Sequence, residues 1–470
     1  MQPRMGPAPA LPRDRASADP PGRIEDIRPP EDSSLLPPRA FRPAGPAGFP
    51  AYPLSPAAWW LLGRVRHRLT RFPLFAPREY RRCHPGAASY LPRLHYLHRG
   101  MYQTQPTATP VFFAKALAER LREVPPDTGP APDIQAPSAV VGVYASSLGN
   151  GFMTEIADDL AASLAAAGAR VIRGDERCSL AGRPKACIFV APHEFFALGR
   201  GPAWARPAVL RDAVLYGTEQ PQTTWFWRAL PLTLAARGAL DMSWHTAALL
   251  GQVMPSRALL PGLRPAPFPV PAGLRSHPLL AGAWWLPNDR IDPRTPLAER
   301  PLDLVFFGGD TPVRDRFFAR NAARFADYDT LIYLRKRGRG PVHPRNVEGD
   351  LCTCALLACG RAKLTLSVHR DAFGFFEWHR LVRQAMATGS VAVTESCFPV
   401  PDFRPGVHYF CADAGHLPQL IDWLLRTPDG RAQAESCRRR CLDLLSDQFS
   451  PDRAGRRILQ FLAELGVLHA

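Results

Sequence analysis

The chain has 470 residues, enough for two or three domains with cores of their own, and its 46% apolar content is that of an ordinary globular protein. No run of ~20 apolar residues is present and the N-terminus lacks an apolar signal core, which speaks against a membrane-spanning or secreted protein and for a cytoplasmic one. Against 42 Asp and Glu stand 58 Lys and Arg, a net charge of +16 that fits an anionic partner such as nucleotide phosphates, a membrane surface or nucleic acid. Most of the excess is Arg, which suits bidentate phosphate contact but also follows from a GC-rich genome.

The ten cysteines form no disulfide framework. Cys352-x-Cys354 and Cys437-x3-Cys441 lack zinc-site spacing and His partners, so they read as buried thiols and no metal site is expected.

Residues 1–56 are punctuated by proline and read as disordered or extended. The segment 57–75 mixes Trp59, Trp60, Leu61 and Leu62 with Arg64, Arg66, Arg68 and Arg71. Such a helix either lies at a membrane interface, here the inner face, or docks its tryptophans on the main body while its arginines face water. A helix at 111–124 and a Pro-rich linker at 125–137 complete an N-terminal extension, 1–136.

Residues 139–172 read as strand, turn, long helix and strand. The turn 146–151 (SSLGNG) precedes the helix, so its backbone N–H groups are expected to face an anion. It has no G-x-G-x-x-G spacing, so a dinucleotide fingerprint is absent. Strands at 186–191 and 213–216 end in Pro192-His193-Glu194 and Gly217-Thr218-Glu219-Gln220, and another αβ connection ends at Asp241. Parallel sheets bind ligands beyond the carboxyl ends of their strands. His193, Glu219 and Asp241 therefore outline a cleft rim, although each alone is an ordinary cap or turn residue.

A Pro-rich stretch over 265–301 divides the chain. It sets an N-terminal domain at 137–275, a linker at 276–300, a C-terminal domain at 301–450 and a closing helix at 451–470. The second domain opens with a strand at 302–307, a turn containing Gly308 and Gly309, and a helix at 313–325. Arg314 and Arg316 in that helix's first turn oppose the helix dipole, a mismatch that a bound anion would compensate. The strand at 331–334 runs into Arg335-Lys336-Arg337-Gly338-Arg339-Gly340, either a solvated loop or the rim of a diphosphate site.

The stretch 364–411 is strand, loop, helix, strand, loop, strand. Glu377 opens a helix whose Leu381, Val382, Ala385 and Met386 share one face, and Gly389 stands at the left-handed position that ends it. His369, Arg370, Asp371 and Glu395 fall at carboxyl ends of strands. Three helices, at 417–425, 431–445 and 453–465, close the chain.

The order His369-Arg370-Asp371, Glu377, Gln384-Ala385-Met386-Ala387-Thr388-Gly389, Glu395 and Gly406-Val407-His408-Tyr409 resembles the group 1 glycosyltransferases of GT-B fold, and within them the spore-maturation-type branch. Residues 216–220 (YGTEQ), Trp225 and 240–250 (LDMSWHTAALL) are similar to that branch too, and the likeness spans about 139–450. It implies an α/β protein of two doubly wound Rossmann-like domains facing a cleft. The implied reaction moves a sugar from a nucleotide-sugar donor, with no other cofactor and no metal, to a glycan, lipid-linked or protein acceptor.

The resemblance also implies roles. Glu377 would accept hydrogen bonds from ribose hydroxyls, and Arg314, Arg316, Arg335 and Lys336 would neutralise the diphosphate. Gly308, Gly309, His369 and Glu395 would complete the nucleotide-sugar side, with Arg370 reaching the sugar or diphosphate. An inverting reaction would take its base from His193, Glu219 or Asp241. Gln384 departs from the family's second Glu, which keeps a non-catalytic GT-B-like binding or assembly protein in view. A specific nucleic-acid site is not expected, because aromatic and basic residues interleave only within 57–75.

Overall fold

A computed structural model describes residues 56–85, 91–98, 100, 107–121, 139–336, 342–343 and 350–468. The Pro-rich residues 1–55, the linker read at 125–137 and the basic run 337–340 lie outside these.

The first sheet has six parallel strands: β1 (Val140–Tyr144), β2 (Arg170–Gly174), β3 (Ala186–Val190), β4 (Ala213–Gly217), β5 (Gly238–Asp241) and β6 (Ser256–Ala258). Their order is β2-β1-β3-β4-β5-β6. Central β3 is buried at all five positions, as a strand covered on both faces must be. The second sheet is parallel as well: β7 (Leu302–Gly309), β8 (Thr330–Arg335), β9 (Ala362–Ser367), β10 (Val391–Glu395) and β11 (Phe410–Ala412), in the order β8-β7-β9-β10-β11. Each order reverses once, between β1 and β3 and between β7 and β9, and a doubly wound sheet offers its ligand crevice at such a reversal. The α/β class and the two Rossmann-like units facing a cleft are therefore the observed architecture.

The extension contributes α1 (Pro56–Arg71), α2 (Pro77–Cys83), α3 (Pro92–His98) and α4 (Pro110–Leu121). In the first unit α5 (Gly151–Ala166) follows β1, α6 (Thr224–Ala235) follows β4 and α7 (Trp244–Gly251) follows β5. In the second, α8 (Pro312–Phe325) follows β7 and α9 (Leu351–Arg361) precedes β9. The chain ends in α10 (Leu417–Arg426), α11 (Pro428–Asp447) and α12 (Pro451–Glu464). That last helix returns to the first unit. A Cβ on Gly455 would sit 2.0 Å from the Ser163 carbonyl oxygen of α5, so the contact is backbone to backbone and only glycine fits.

The helix expected after Glu377 is present with its expected face, Leu381, Val382, Ala385 and Met386, buried. Its middle, His379–Ala385, is wound as a π-helix and closes through a 3-10 turn, Met386–Thr388. Gly389 ends it at φ +76°, the left-handed geometry read from the sequence. Such π-turns are uncommon and concentrate at functional sites.

Not every arginine of α1 faces water. Arg68 donates to the Leu234 and Ala236 carbonyl oxygens at 2.7 and 2.9 Å, and so caps the C-terminus of α6. Val65 and Leu69 on the same helix are buried, while the side chains of Trp59 and Trp60 lie outside the described residues. Among the described residues no helix is long and apolar enough to cross a membrane.

Candidate functional site

The carboxyl ends of the two sheets line a cleft of about 270 Å³. Its second-unit wall is cationic. Gly308 and Gly309 end β7, Arg335 ends β8, Arg370 follows β9, and Glu377 and Arg380 come from the start of the π-turn. Glu377 pairs with Arg380 at 2.8 Å. Just beneath, buried Arg314 donates from Nε to Val368 O at 2.8 Å and from Nη1 to Gly309 O at 3.0 Å. Both guanidinium carbons lie above the Phe306 ring, 5.5 Å from its centroid for Arg314 and 5.8 Å for Arg380. A Cβ on Gly308 would come within 2.6 Å of that ring and 3.0 Å of Arg380 Nη1, so glycine is what lets the cations approach the strand end.

Two guanidinium donors at this wall are buried and unmet. Arg314 Nη2 and Arg380 Nη1 have no hydrogen-bond partner among the described residues. A buried donor without an acceptor is costly, and an anion in the cleft is the natural acceptor for both. Burial, then neighbouring Arg380, pulls the Arg314 pKa down to about 9. Burial alone would raise that of Glu377, but Arg380 and Arg314 outweigh it and hold the carboxyl below its ordinary value. The wall thus carries a firmly ionised carboxylate among several cations.

Beside the cations the lining turns aromatic and apolar: Phe152 and Met153 of α5, Phe307, Tyr333 and Leu351. Phe307 and Tyr333 stand 5.9 Å apart at 40°, and Phe152 meets the His379 ring edge-on at 4.8 Å.

The opposite wall is carboxylic. Thr218, Glu219 and Gln220 follow β4, Asp241 ends β5 and Ser243 comes just after it. Gly217 permits this packing, since a Cβ there would be 2.1 Å from Asp241 Oδ2. Burial raises the pKa of Glu219, an effect that Arg370 only partly offsets, and raises that of Asp241 well above the carboxylate range. His193 lies one layer back, lining a cavity of about 20 Å³ with Thr218, Glu219 and Asp241. Its Nε2 is 3.7 Å from Glu219 Oε1 and 3.9 Å from Glu194 Oε1. Burial, helped by Arg228, pushes its pKa down to about 3, and burial lifts that of Glu194 to about 7. The residue leading into this turn, Ala191, has φ 51°, the one positive φ outside glycine among the described residues.

The turn 146–151 does not present free N–H groups to an anion. Two of this chain's own carboxylates already occupy it. Glu176 accepts from the Ser147 N–H at 2.7 Å and from its hydroxyl at 2.5 Å, and Glu194 accepts from the Asn150 N–H at 2.9 Å. The Gly151 N–H donates across the cleft to Val342 O at 2.7 Å. That turn is therefore not open to an anionic ligand.

Of the residues singled out from sequence, Glu219, Asp241, Gly308, Gly309, Arg335, Arg370 and Glu377 meet in the cleft wall, with Arg314 directly under it. Arg316 and Lys336 are exposed and outside the lining, because α8 turns successive side chains to different faces and Lys336 lies past the strand end. His369 and Glu395 are not in the lining either: the Glu395 carboxylate accepts from the His369 backbone N–H at 2.5 Å and ties the ends of β9 and β10 together. Sequence reasoning missed Arg380. Its i, i+3 spacing from Glu377, on one helical face, was the available signal. Among the described residues no group of three or more His, Cys, Asp or Glu side chains could hold a metal ion.

No family model matches the chain, and no curated protein does. Solved structures do. An alpha-glucosyltransferase in complex with UDP and a 13-mer DNA matches with a TM-score of 0.41 at 9% identity, covering 69% of this chain and 100% of that one. Anabaena HepE in complex with UDP and glucose matches at 0.42 and 11% identity, with 69% and 100% covered. A glycosyltransferase from Rickettsia africae matches at 0.36 and 11%, with 70% and 98% covered. These scores are too low to carry a ligand or an activity over to this chain.

Proposed function

We propose that the protein is a GT-B glycosyltransferase that takes a nucleoside diphosphate sugar as donor. The observation that carries this reading is the pair of buried, unpartnered guanidinium nitrogens, Arg314 Nη2 and Arg380 Nη1, beside an ionised carboxylate. A nucleoside diphosphate offers the complement of each group. Its phosphates would accept from Arg314, Arg380, Arg335 and Arg370. Its ribose diol would donate to Glu377, a carboxylate with two acceptor oxygens. Its base would lie against Phe307, Tyr333 and Phe152.

Transfer breaks the bond from the anomeric carbon to the diphosphate oxygen and forms one to an acceptor oxygen. Negative charge grows on the departing diphosphate, where cations held in place by Phe306 and Val368 O stabilise it without reorganising. The acceptor hydroxyl loses its proton towards the opposite wall. Glu219 is the group we assign to receive it, because its raised pKa makes it a stronger base than an exposed carboxylate. A glycan, lipid-linked or protein hydroxyl would suit that wall.

The test is thermal shift with UDP-, GDP-, CDP- and dTDP-sugars. At least one should raise the melting temperature, and Glu377→Ala should abolish the rise. No shift with any of them would contradict the reading.

A further inference from the structure

We propose that the N-terminal helical extension is a working part of the site, with Phe113 a positioning residue for the loop that carries Arg370. This rests on the glycosyltransferase reading for its kinetic consequence, but not for its structural one.

The extension is bolted together and fixed to the first unit. Thr109 at the start of α4 donates its hydroxyl proton to Glu79 Oε2 of α2 at 2.7 Å, and the Tyr80 hydroxyl lies 2.9 Å from His95 Nδ1 of α3. The Tyr96 hydroxyl donates to the Trp227 carbonyl oxygen, and Phe72, Phe75 and Tyr96 surround the Trp227 indole with centroids 6.0, 6.4 and 6.1 Å away. That indole donates to Pro221 O at 2.8 Å. Pro221 sits between Glu219 and Thr223, the N-cap of α6, so the extension already grips the acceptor-side loop.

From this anchorage α4 reaches the opposite wall. Buried Phe113 meets Phe373 of the second unit edge-on, 5.6 Å apart at 89°. Phe373 is three residues from Arg370, and its N–H donates to Asp371 Oδ1 at 2.9 Å. The polar link from the first unit to this loop is weak, since Gln222 Nε2 reaches the Asp371 oxygens only at 3.4 and 3.5 Å. On its other side the loop is pinned within the second unit, where Gly374 O accepts from the Phe398 N–H at 2.7 Å. Arg370 itself is exposed. Its placement over the cleft follows from the loop. Two other rings of the first unit meet the loop further along, His245 with Phe375 at 6.0 Å and Trp244 with Phe376 at 6.2 Å, and the contact with α4 is the ring contact nearest Arg370.

The experiment compares Phe113→Ala, Phe373→Ala, Arg370→Ala and the double variant Phe113→Ala/Arg370→Ala in the full chain. Hydrogen exchange of residues 370–376 should speed up about tenfold in Phe113→Ala and in Phe373→Ala, as for a segment that has lost its packing. Turnover should fall roughly 10- to 100-fold in Phe113→Ala, as for a displaced charge, with nucleoside diphosphate binding weakened no more than in Arg370→Ala. Adding Phe113→Ala to Arg370→Ala should cost little more, because one acts through the other. Phe113→Leu should restore most of the turnover. Unchanged exchange in both Phe variants overturns the proposal, as do additive losses in the double variant. If no donor supports turnover, the glycosyltransferase reading fails and the exchange result alone decides whether the brace exists.

Discussion

The two walls of the cleft are buried to a similar degree and respond in opposite ways. On the second-unit wall, Arg380 and Arg314 hold the Glu377 carboxyl below its ordinary pKa, while two guanidinium nitrogens lack acceptors. On the first-unit side, Glu219 and Asp241 of the wall, and Glu194 behind it, face no comparable cluster of cations, so burial raises their pKa values. Burial penalises charge everywhere; what decides protonation is which partners the strand ends bring. On the proposed reading, one wall holds an anion and the other takes up a proton. Those are the two demands of displacing a diphosphate by a hydroxyl.

The contrast can be broken from either side. The largest effect is expected from Glu219→Gln, which removes the assigned base: turnover should fall about 10²- to 10⁴-fold with donor affinity unchanged. With the parent protein, turnover should decline as pH drops through the raised pKa of Glu219, because only the ionised carboxylate accepts a proton. Next comes Arg380→Ala. It strands the Glu377 carboxylate and removes a phosphate donor, and calorimetry should find nucleoside diphosphate binding weakened by about 2 kcal/mol or more.

A smaller effect concerns stability. The Glu194 pKa rises from 4.5 to about 7 on folding, so between those values the native state binds the proton that the unfolded state has lost. Its contribution to stability is therefore present below pH 4.5 and is lost as pH rises to 7. Glu194→Gln should melt progressively higher than the parent across that window and hold a constant lead above it. His193 works in the opposite sense, since its pKa falls to about 3 and stability is gained as pH rises towards 6.5, so the variant-minus-parent difference is the quantity to measure. The smallest effect is that of Arg316→Ala. On the exposed face of α8 it should change donor affinity less than twofold.

Much of this was legible in the sequence because parallel strands covered on both faces must be short apolar runs. β3, β7 and β9 announce themselves, and the residues just after them fall at the ligand end by topology alone. Arg370, Glu219 and Asp241 were found in that way, and Glu377 through its place in the family motif. Side-chain direction was not legible. His369 and Glu395 occupy strand ends as expected, yet they bond to each other's segments rather than line the cleft. The turn 146–151 has the composition of an anion cradle, but Glu176 and Glu194 arrive from distant positions to fill it. Arg68 reads as a solvated cation until α6 places two carbonyl oxygens beside it. In each case the deciding partner is far away in the chain, and local pattern carries no information about it.

Equilibrium binding of nucleoside diphosphates to the parent, Arg380→Ala and Arg316→Ala proteins tests the central claim most directly. The account predicts saturable one-site binding of at least one nucleoside diphosphate to the parent and to Arg316→Ala, weakened at least about 30-fold in Arg380→Ala. Equal affinity in all three, or no binding to the parent, would contradict it.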